Sequence, residues 1–309
     1  MRNYMPNSPT LEEWKRGFDN LKSLGCQFAA FYGAEPLIEF EKLPETIEYA
    51  EKLGIRTTVI TSGVVKDVNQ KLLMLYNHGL RSLTTSYDYV PNDFSSNIKT
   101  NKALQLLEAF RNFGKVRDLA VVVTLTKKNL DYLPEIILEM TFRGIWTFFD
   151  IIHPDRGQPG SKVKNSDLDL LLTKKDYPRL MKILDQVMIL KKNGCLVHTS
   201  TNFHALIQMI TLFENDLFKW NCAKSAAFPS WVTVDADGRV LPCDDFDTKA
   251  VHIKVWELNH FWVEFGRKWV YEVLFKCPGC CWNTHYDSHE IKLGRLPITD
   301  YIHGMEGGI

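Results

Sequence analysis

Apolar residues recur at helical spacing through Leu11, Trp14, Phe18 and Leu21 and stop before Gly25, which predicts an amphipathic helix. Thr10 and Glu13 frame its start as a Thr-x-x-Glu capping box. A short apolar run, QFAAFYG, follows and predicts a strand. The alternation then repeats. A helix opened by Pro44 ends at Gly54 and runs into RTTVITS, and another ends at Gly79 and runs into RSLTTSYD. Further on, Gly114 precedes LAVVVTLT and Gly144 precedes IWTFFDII. Glycine suits the left-handed turn that closes a helix, and β-branched or aromatic residues suit a pleated strand.

Units of this kind, spaced at roughly 25 to 35 residues, predict an α/β protein built around a parallel sheet. The right-handed crossover rule then favours a barrel or a doubly wound sheet. The pattern begins with a helix, where a βα repeat would place a strand first. Loops after strand ends build the sites of parallel α/β folds, so the first strand's loop is expected to be missing with its strand.

Composition changes this picture mainly by exclusion. The chain has 309 residues, 45% hydrophobic and 24% charged, which is ordinary for a folded protein of enzyme size. Lys+Arg and Asp+Glu balance at 37 each, so no overall charge recommends a nucleic-acid or membrane-surface partner. The opening MRNYMPNSPTLEEWKRG has no apolar signal core, and no run approaches a membrane span, so the expected location is cytoplasmic. Thiols there stay reduced and available to metals.

The strand ends carry candidate chemistry. QFAAFYG breaks into GAEPL, where Gly33 lets a ligand approach the backbone, Glu35 can take an amino group and Pro36 stiffens the turn. Ser86 and Asp88 close RSLTTSYD, and Asp150, His153 and Arg156 sit on DIIHPDRG. Each alone is a common turn or cap; their shared position at strand ends is what points to a small polar ligand.

GAEPL, ITSG, SYD and the strand VVVTLTKKN together resemble the radical S-adenosylmethionine superfamily. That resemblance implies a partial parallel (βα)6 TIM-like barrel lacking its first strand. It also implies cofactor contacts at Gly33, Ala34, Glu35, Pro36, Ser62, Ser86 and Asp88, with Ala34 standing where the family motif has a second glycine. The family's Cys-x3-Cys-x2-Cys loop, which binds a 4Fe-4S cluster and S-adenosylmethionine, does not occur in this sequence, since Cys26 stands alone and the next cysteine is Cys195. The favoured expectation is an N-terminally truncated enzyme rather than a degenerate relative, because strand and ligands are missing together. Such a chain would bind S-adenosylmethionine weakly or not at all, and would not cleave it alone. An intact family member would form a 5'-deoxyadenosyl radical that abstracts a substrate hydrogen, using a flavodoxin or ferredoxin as electron donor.

Five of the seven cysteines lie in the last third. Cys222 precedes a predicted hairpin that turns through Asp235-Ala-Asp-Gly238 and leads to Cys243, while Cys277 and Cys280 form a C-x-x-C knuckle beside Cys281. Four thiolates suffice for one 4Fe-4S cluster or one zinc ion, and the spacing alone leaves both open. The run Cys222-x15-Gly238-x4-Cys243 resembles the SPASM or twitch extension of radical S-adenosylmethionine enzymes, which implies one auxiliary 4Fe-4S cluster and, weakly, a peptide substrate. Cys281 could replace Cys280, and His285 and His289 are alternative ligands. Cys26 and Cys195 read as buried structural thiols. The expected organisation is a barrel over 1–203 and a small cysteine-rich auxiliary domain over 204–309. The competing function is a non-catalytic structural zinc- or iron–sulfur-binding protein, a pseudoenzyme or binding module.

Overall fold

The computed structural model describes residues 8–33, 35–38, 40–151, 170, 172–198, 232–241 and 253–258. In chain order the elements are α1 (Leu11–Ser23), β1 (Phe28–Phe31), α2 (Leu43–Lys52), β2 (Arg56–Thr61), α3 (Val68–Asn77) and β3 (Ser82–Ser86). They continue with α4 (Phe94–Arg111), β4 (Asp118–Leu125), α5 (Leu133–Phe142), β5 (Trp146–Ile151) and α6 (Tyr177–Lys192). Strands β1 to β5 pair in sequence order and all in parallel, as the alternating pattern predicts. After α6 the chain returns to β5. Val197 forms a parallel bridge with Thr147, whose N–H donates to Leu196 O at 2.9 Å and whose carbonyl accepts from His198 N at 2.9 Å. The bridge sets Val197 beside β5, while β1 is the opposite edge of the sheet among the described residues.

Local chemistry explains the element ends. Thr10 Oγ1 accepts from Glu13 N at 3.2 Å, and Glu13 Oε2 accepts from Thr10 N at 2.7 Å, the reciprocal bonds of a capping box. These bonds to Thr10 hold the Glu13 carboxyl below its usual range. The terminators Gly25, Gly54, Gly79, Gly114 and Gly144 all take positive φ, the conformation the sequence reading required of them.

Period-two alternation divides the sheet into two faces. Val59, Leu83, Val121, Val123, Leu125 and Phe149 are buried in one core with Ile47 of α2, Leu72 and Leu75 of α3, Leu107 and Phe110 of α4, and Ile136 and Met140 of α5. Their strand neighbours occupy the other face in register: Ile60 beside Thr84, Ser86 beside Val122, and Val122 beside Phe148. Towards the C-terminal strand ends this second face opens. Ile60, Val122, Thr124 and Phe148 are half-buried, and Ser62 and Ser86 are exposed.

The predicted hairpin is present as β6 (Thr233–Val234) and β7 (Val240–Leu241), paired antiparallel. Gly238 N donates to Asp235 O at 2.8 Å to close the turn. Gly238 has φ +80, and a Cβ there would lie 2.2 Å from the Trp256 ring, so backbone and packing both require glycine. Residues 253–255 run beside β7, with Val240 N donating to Ile253 O and Val255 N to Gly238 O, both at 2.9 Å. Val240, Val255 and Leu258 form a small core whose other side is Trp14 and Leu21 of α1. The described part of the region expected as a separate second domain is thus seated on the first helix.

Two residues of α1 make that seat specific. A Cβ at Gly17 would meet Val255 Cγ1 at 2.7 Å, and Asn20 Nδ2, buried, donates to Val255 O at 3.0 Å. Gly17→Val is expected to cost about 1–3 kcal/mol through overpacking. Asn20→Ala is expected to cost a similar ~1–3 kcal/mol by leaving a buried carbonyl unpaired. Urea denaturation measures both, and proteolysis should cut faster within 232–258 in each variant than in the parent chain.

Candidate cofactor site at the strand ends

The sequence GAEPL forms the turn that leaves β1. Gly33 has φ +95, and a Cβ built on it would find no atom within 4 Å, so the backbone there borders open space. Glu35 then reaches across to the end of β2. Its Oε1 accepts from Thr61 Oγ1 at 2.6 Å and from Leu37 N at 3.2 Å. Its Oε2 accepts from Ser62 N at 3.0 Å and from Ser62 Oγ at 2.6 Å. A carboxylate has about four in-plane acceptor positions, and all are engaged by this chain's own donors. Pro36 fixes the turn that follows, closed by Ile38 N donating to Glu35 O at 3.1 Å.

The neighbouring strand ends are organised by capping side chains. Ser86 and Asp88 are exposed, and the Asp88 carbonyl accepts from Ser96 Oγ at 2.7 Å. Asp93 caps α4 by accepting from Ser95 N at 2.9 Å and Ser96 N at 3.2 Å, and its bond from the Ser95 hydroxyl leads the effects that hold its carboxyl below the usual range. Beyond β4, buried Asn129 accepts from Thr126 N at 2.8 Å and donates to Thr124 O at 2.9 Å. Between Ser86 and Asp88, Tyr87 turns to the helix side. Burial, with the Glu139 carboxylate adding to it, pushes its phenol up to about 12.

Of the residues singled out in the sequence, Glu35 and Ser62 are in direct contact, with Gly33 and Pro36 flanking Glu35. Ser86 ends the adjacent strand, and Asp88 lies two residues past it. Asp150 is paired in β5 with Thr124. Ala34, His153, Arg156, Cys222, Cys243, Cys277, Cys280, Cys281, His285 and His289 lie outside the described residues. Cys26 and Cys195 are free thiols, each partly buried rather than fully buried as expected. Burial raises the Cys26 thiol above its usual range although Sγ donates to Phe28 O at 3.3 Å. Among the described residues no three Cys, His, Asp or Glu side chains form a metal-binding group, and no helix is long and apolar enough to cross a membrane.

Thr61 and Lys71 were missed. Lys71 Nζ donates to Leu37 O at 2.7 Å and lies 5.4 Å from the centre of the Phe40 ring. Thr61 belongs to the helix-facing row of β2, where a threonine reads as a plain strand former, and Lys71 reads as an ordinary helix-surface lysine.

No protein-family model matches the chain. Over 170 residues it is 29% identical to Fe-coproporphyrin III synthase from Methanosarcina barkeri (strain Fusaro / DSM 804), covering 53% of this chain and 41% of that relative. The chain thus spans less than half the length of this curated relative. Among solved structures it is similar to native anSMEcpe with bound AdoMet, with a TM-score of 0.56 at 16% identity, over 94% of this chain and 89% of the other. The same protein with bound AdoMet and Cp18Cys peptide gives a TM-score of 0.56 at 16% identity, over 94% and 90% of the two chains. At this identity the structural likeness establishes a shared fold. The class that fold and sequence define is an α/β protein built on a parallel sheet, five-stranded among the described residues.

Two outcomes follow from this geometry. Glu35→Ala removes the acceptor of the part-buried Thr61 hydroxyl and Leu37 amide, while the exposed Ser62 donors turn to water, and is expected to lower stability by about 1–3 kcal/mol, measured by urea denaturation. Because the Tyr87 phenol is held up to about 12, its contribution to stability is complete below the unfolded value near 10 and is lost as pH rises towards 12. Denaturation midpoints recorded from pH 9 to 12 should fall, and Tyr87→Phe should remove part of that fall.

Proposed function

We propose that this chain forms the barrel and auxiliary part of a radical S-adenosylmethionine enzyme. The observation that carries the reading is the Glu35 tie, which fixes the loop after β1 to the end of β2 on a parallel sheet whose fold is shared with an AdoMet-bound protein. The strand ends suit the cofactor's chemistry. Gly33 leaves room for close backbone approach, and the exposed Ser86 hydroxyl and Asp88 carboxylate suit hydroxyl and ammonium groups. Glu35, its acceptor positions filled, would act by holding backbone groups of 33–37 towards the ligand.

Among the described residues Cys26 and Cys195 belong to no three-ligand group that would fit an iron–sulfur cluster. The proposed ligands are Cys222, Cys243, Cys277 and Cys280, from their spacing and its resemblance to the SPASM or twitch extension, with Cys281 as the alternative to Cys280. When bound, a 4Fe-4S cluster and S-adenosylmethionine supply reductive radical chemistry. This chain's residues would bind and orient the cofactor at the strand ends and shield the half-buried face of Ile60, Val122 and Phe148 from water. A peptide is the proposed substrate, supported by the peptide-bound neighbour. A flavodoxin or ferredoxin is the proposed electron donor, and the cytoplasm the proposed setting.

Anaerobic reconstitution is expected to give about four irons and four sulfides per chain. Cys243→Ala should abolish incorporation and Cys26→Ala should not. Stoichiometric zinc without sulfide would instead establish the structural-zinc reading, which the C-x-x-C knuckle equally allows. The sequence holds no Cys-x3-Cys-x2-Cys, so cleavage is tested with that loop supplied upstream. Calorimetric titration of the chain with S-adenosylmethionine should show weak binding, roughly 4–6 kcal/mol, weakened further by Glu35→Ala and tightened about tenfold or more by the supplied loop. Absence of any gain from the loop would reduce GAEPL to a turn.

A further inference from the structure

We propose that Lys71 is a positioning residue for the cofactor loop, a latch on α3 that sets where the Glu35-Pro36-Leu37 backbone sits. The ligand part of this inference rests on the S-adenosylmethionine reading of the loop; the latch itself rests on geometry.

Leu37 is held at every group it has. Its side chain is fully buried in the main core. Its N–H donates to Glu35 Oε1 at 3.2 Å, and its carbonyl accepts from Lys71 Nζ at 2.7 Å. The lysine bond is charge-assisted, hence stronger than an amide–carbonyl bond of the same length. The same ammonium lies over the Phe40 ring at 5.4 Å, so one cation grips both ends of the segment from Leu37 to Phe40. Glu35 binds the loop to β2, while Lys71 binds it to the helix that follows β2. The two ties meet on one residue, Leu37, from opposite ends of its peptide groups.

The position of Lys71 is not explained by the helix it sits on. It is the fourth residue of α3, whose first turn carries no acidic side chain. A cation near a helix N-terminus opposes the macrodipole. Asp67, which precedes α3, has φ 54 and makes no side-chain cap bond. The lysine therefore gives nothing to helix initiation, and its contacts are with the loop. Lysine also suits the task sterically, because its apolar stem can cross the buried surface beside Leu37 while the head reaches a carbonyl.

The test uses the full chain in three forms: parent, Lys71→Met and Lys71→Arg. Methionine keeps most of the stem and removes the donor and charge, while arginine restores both. Amide hydrogen exchange is followed at 35–38 and along β3 to β5, and S-adenosylmethionine binding by ligand-observed NMR. Lys71→Met is expected to accelerate exchange at 35–38 by about tenfold with β3 to β5 unchanged, and to weaken binding by roughly three- to tenfold. Lys71→Arg should restore both to within about twofold of the parent. Unchanged exchange at 35–38 in Lys71→Met overturns the latch, as does a uniform acceleration across all strands or failure of arginine to restore. If the parent chain binds no S-adenosylmethionine, the ligand reading fails while the exchange measurements still decide the role of Lys71.

Discussion

Parallel pairing with a side-chain period of two is the constraint on which the rest of this structure depends. Once β1 to β5 are in register, alternate residues are committed to opposite faces, and a slip of one would exchange the faces everywhere. The helix-facing row carries the bulky core: Val59, Leu83, Val121, Val123, Leu125 and Phe149. The other row is more polar and mixed in size, with Thr58, Ser82, Thr84, Ser86, Ala120 and Thr124 beside the larger Ile60, Val122 and Phe148. That second row has small polar members at its strand ends, where Ser62 and Ser86 are exposed. The register thus determines both where the core lies and where a ligand can enter, at the C-terminal strand ends.

Helix α1 belongs to two cores at once. Phe18 packs towards β1 with Ala50 and Ile55, its ring centre 6.2 Å from that of Phe31. Trp14 and Leu21 face the hairpin side with Val240 and Val255. A helix of thirteen residues can do this because its apolar positions span more than one stripe. The hairpin packs on α1, and α1 is the element that leads directly into β1 and the Gly33–Glu35 turn.

The regular parts of the fold were legible because they rest on local physics. The capping box at Thr10, the glycine terminators and the Asp235–Gly238 turn are each specified within a few residues, and each is present. Parallel order followed from the lengths of the helical connections. The candidate site was legible only in part. GAEPL marks a turn near a strand end, yet nothing within it tells that its glutamate bonds Thr61 and Ser62, 26 and 27 residues away. Lys71 lies 34 residues from Leu37 and carries no local signature at all. The seat of the hairpin on α1 was hidden for the same reason, since Gly17 looks like a weak point in a helix until Val255 is placed against it.

Glu35 shows how a sequence motif can be right in position and different in task. Read in isolation, a carboxylate beside an open glycine is an anion waiting for an ammonium group. In the fold it already accepts from two hydroxyls and two amides, each within 3.2 Å. Replacing any of these by a ligand's ammonium would leave a hydroxyl or an amide without its acceptor, so the exchange gains little. The more economical use of such a carboxylate is to order its surroundings, because a donor fixed in place loses no further entropy when a ligand arrives. For the proposed cofactor site, that argument shifts ligand recognition from the Glu35 carboxylate to the backbone around Gly33, which borders open space, and to the exposed Ser86 hydroxyl and Asp88 carboxylate.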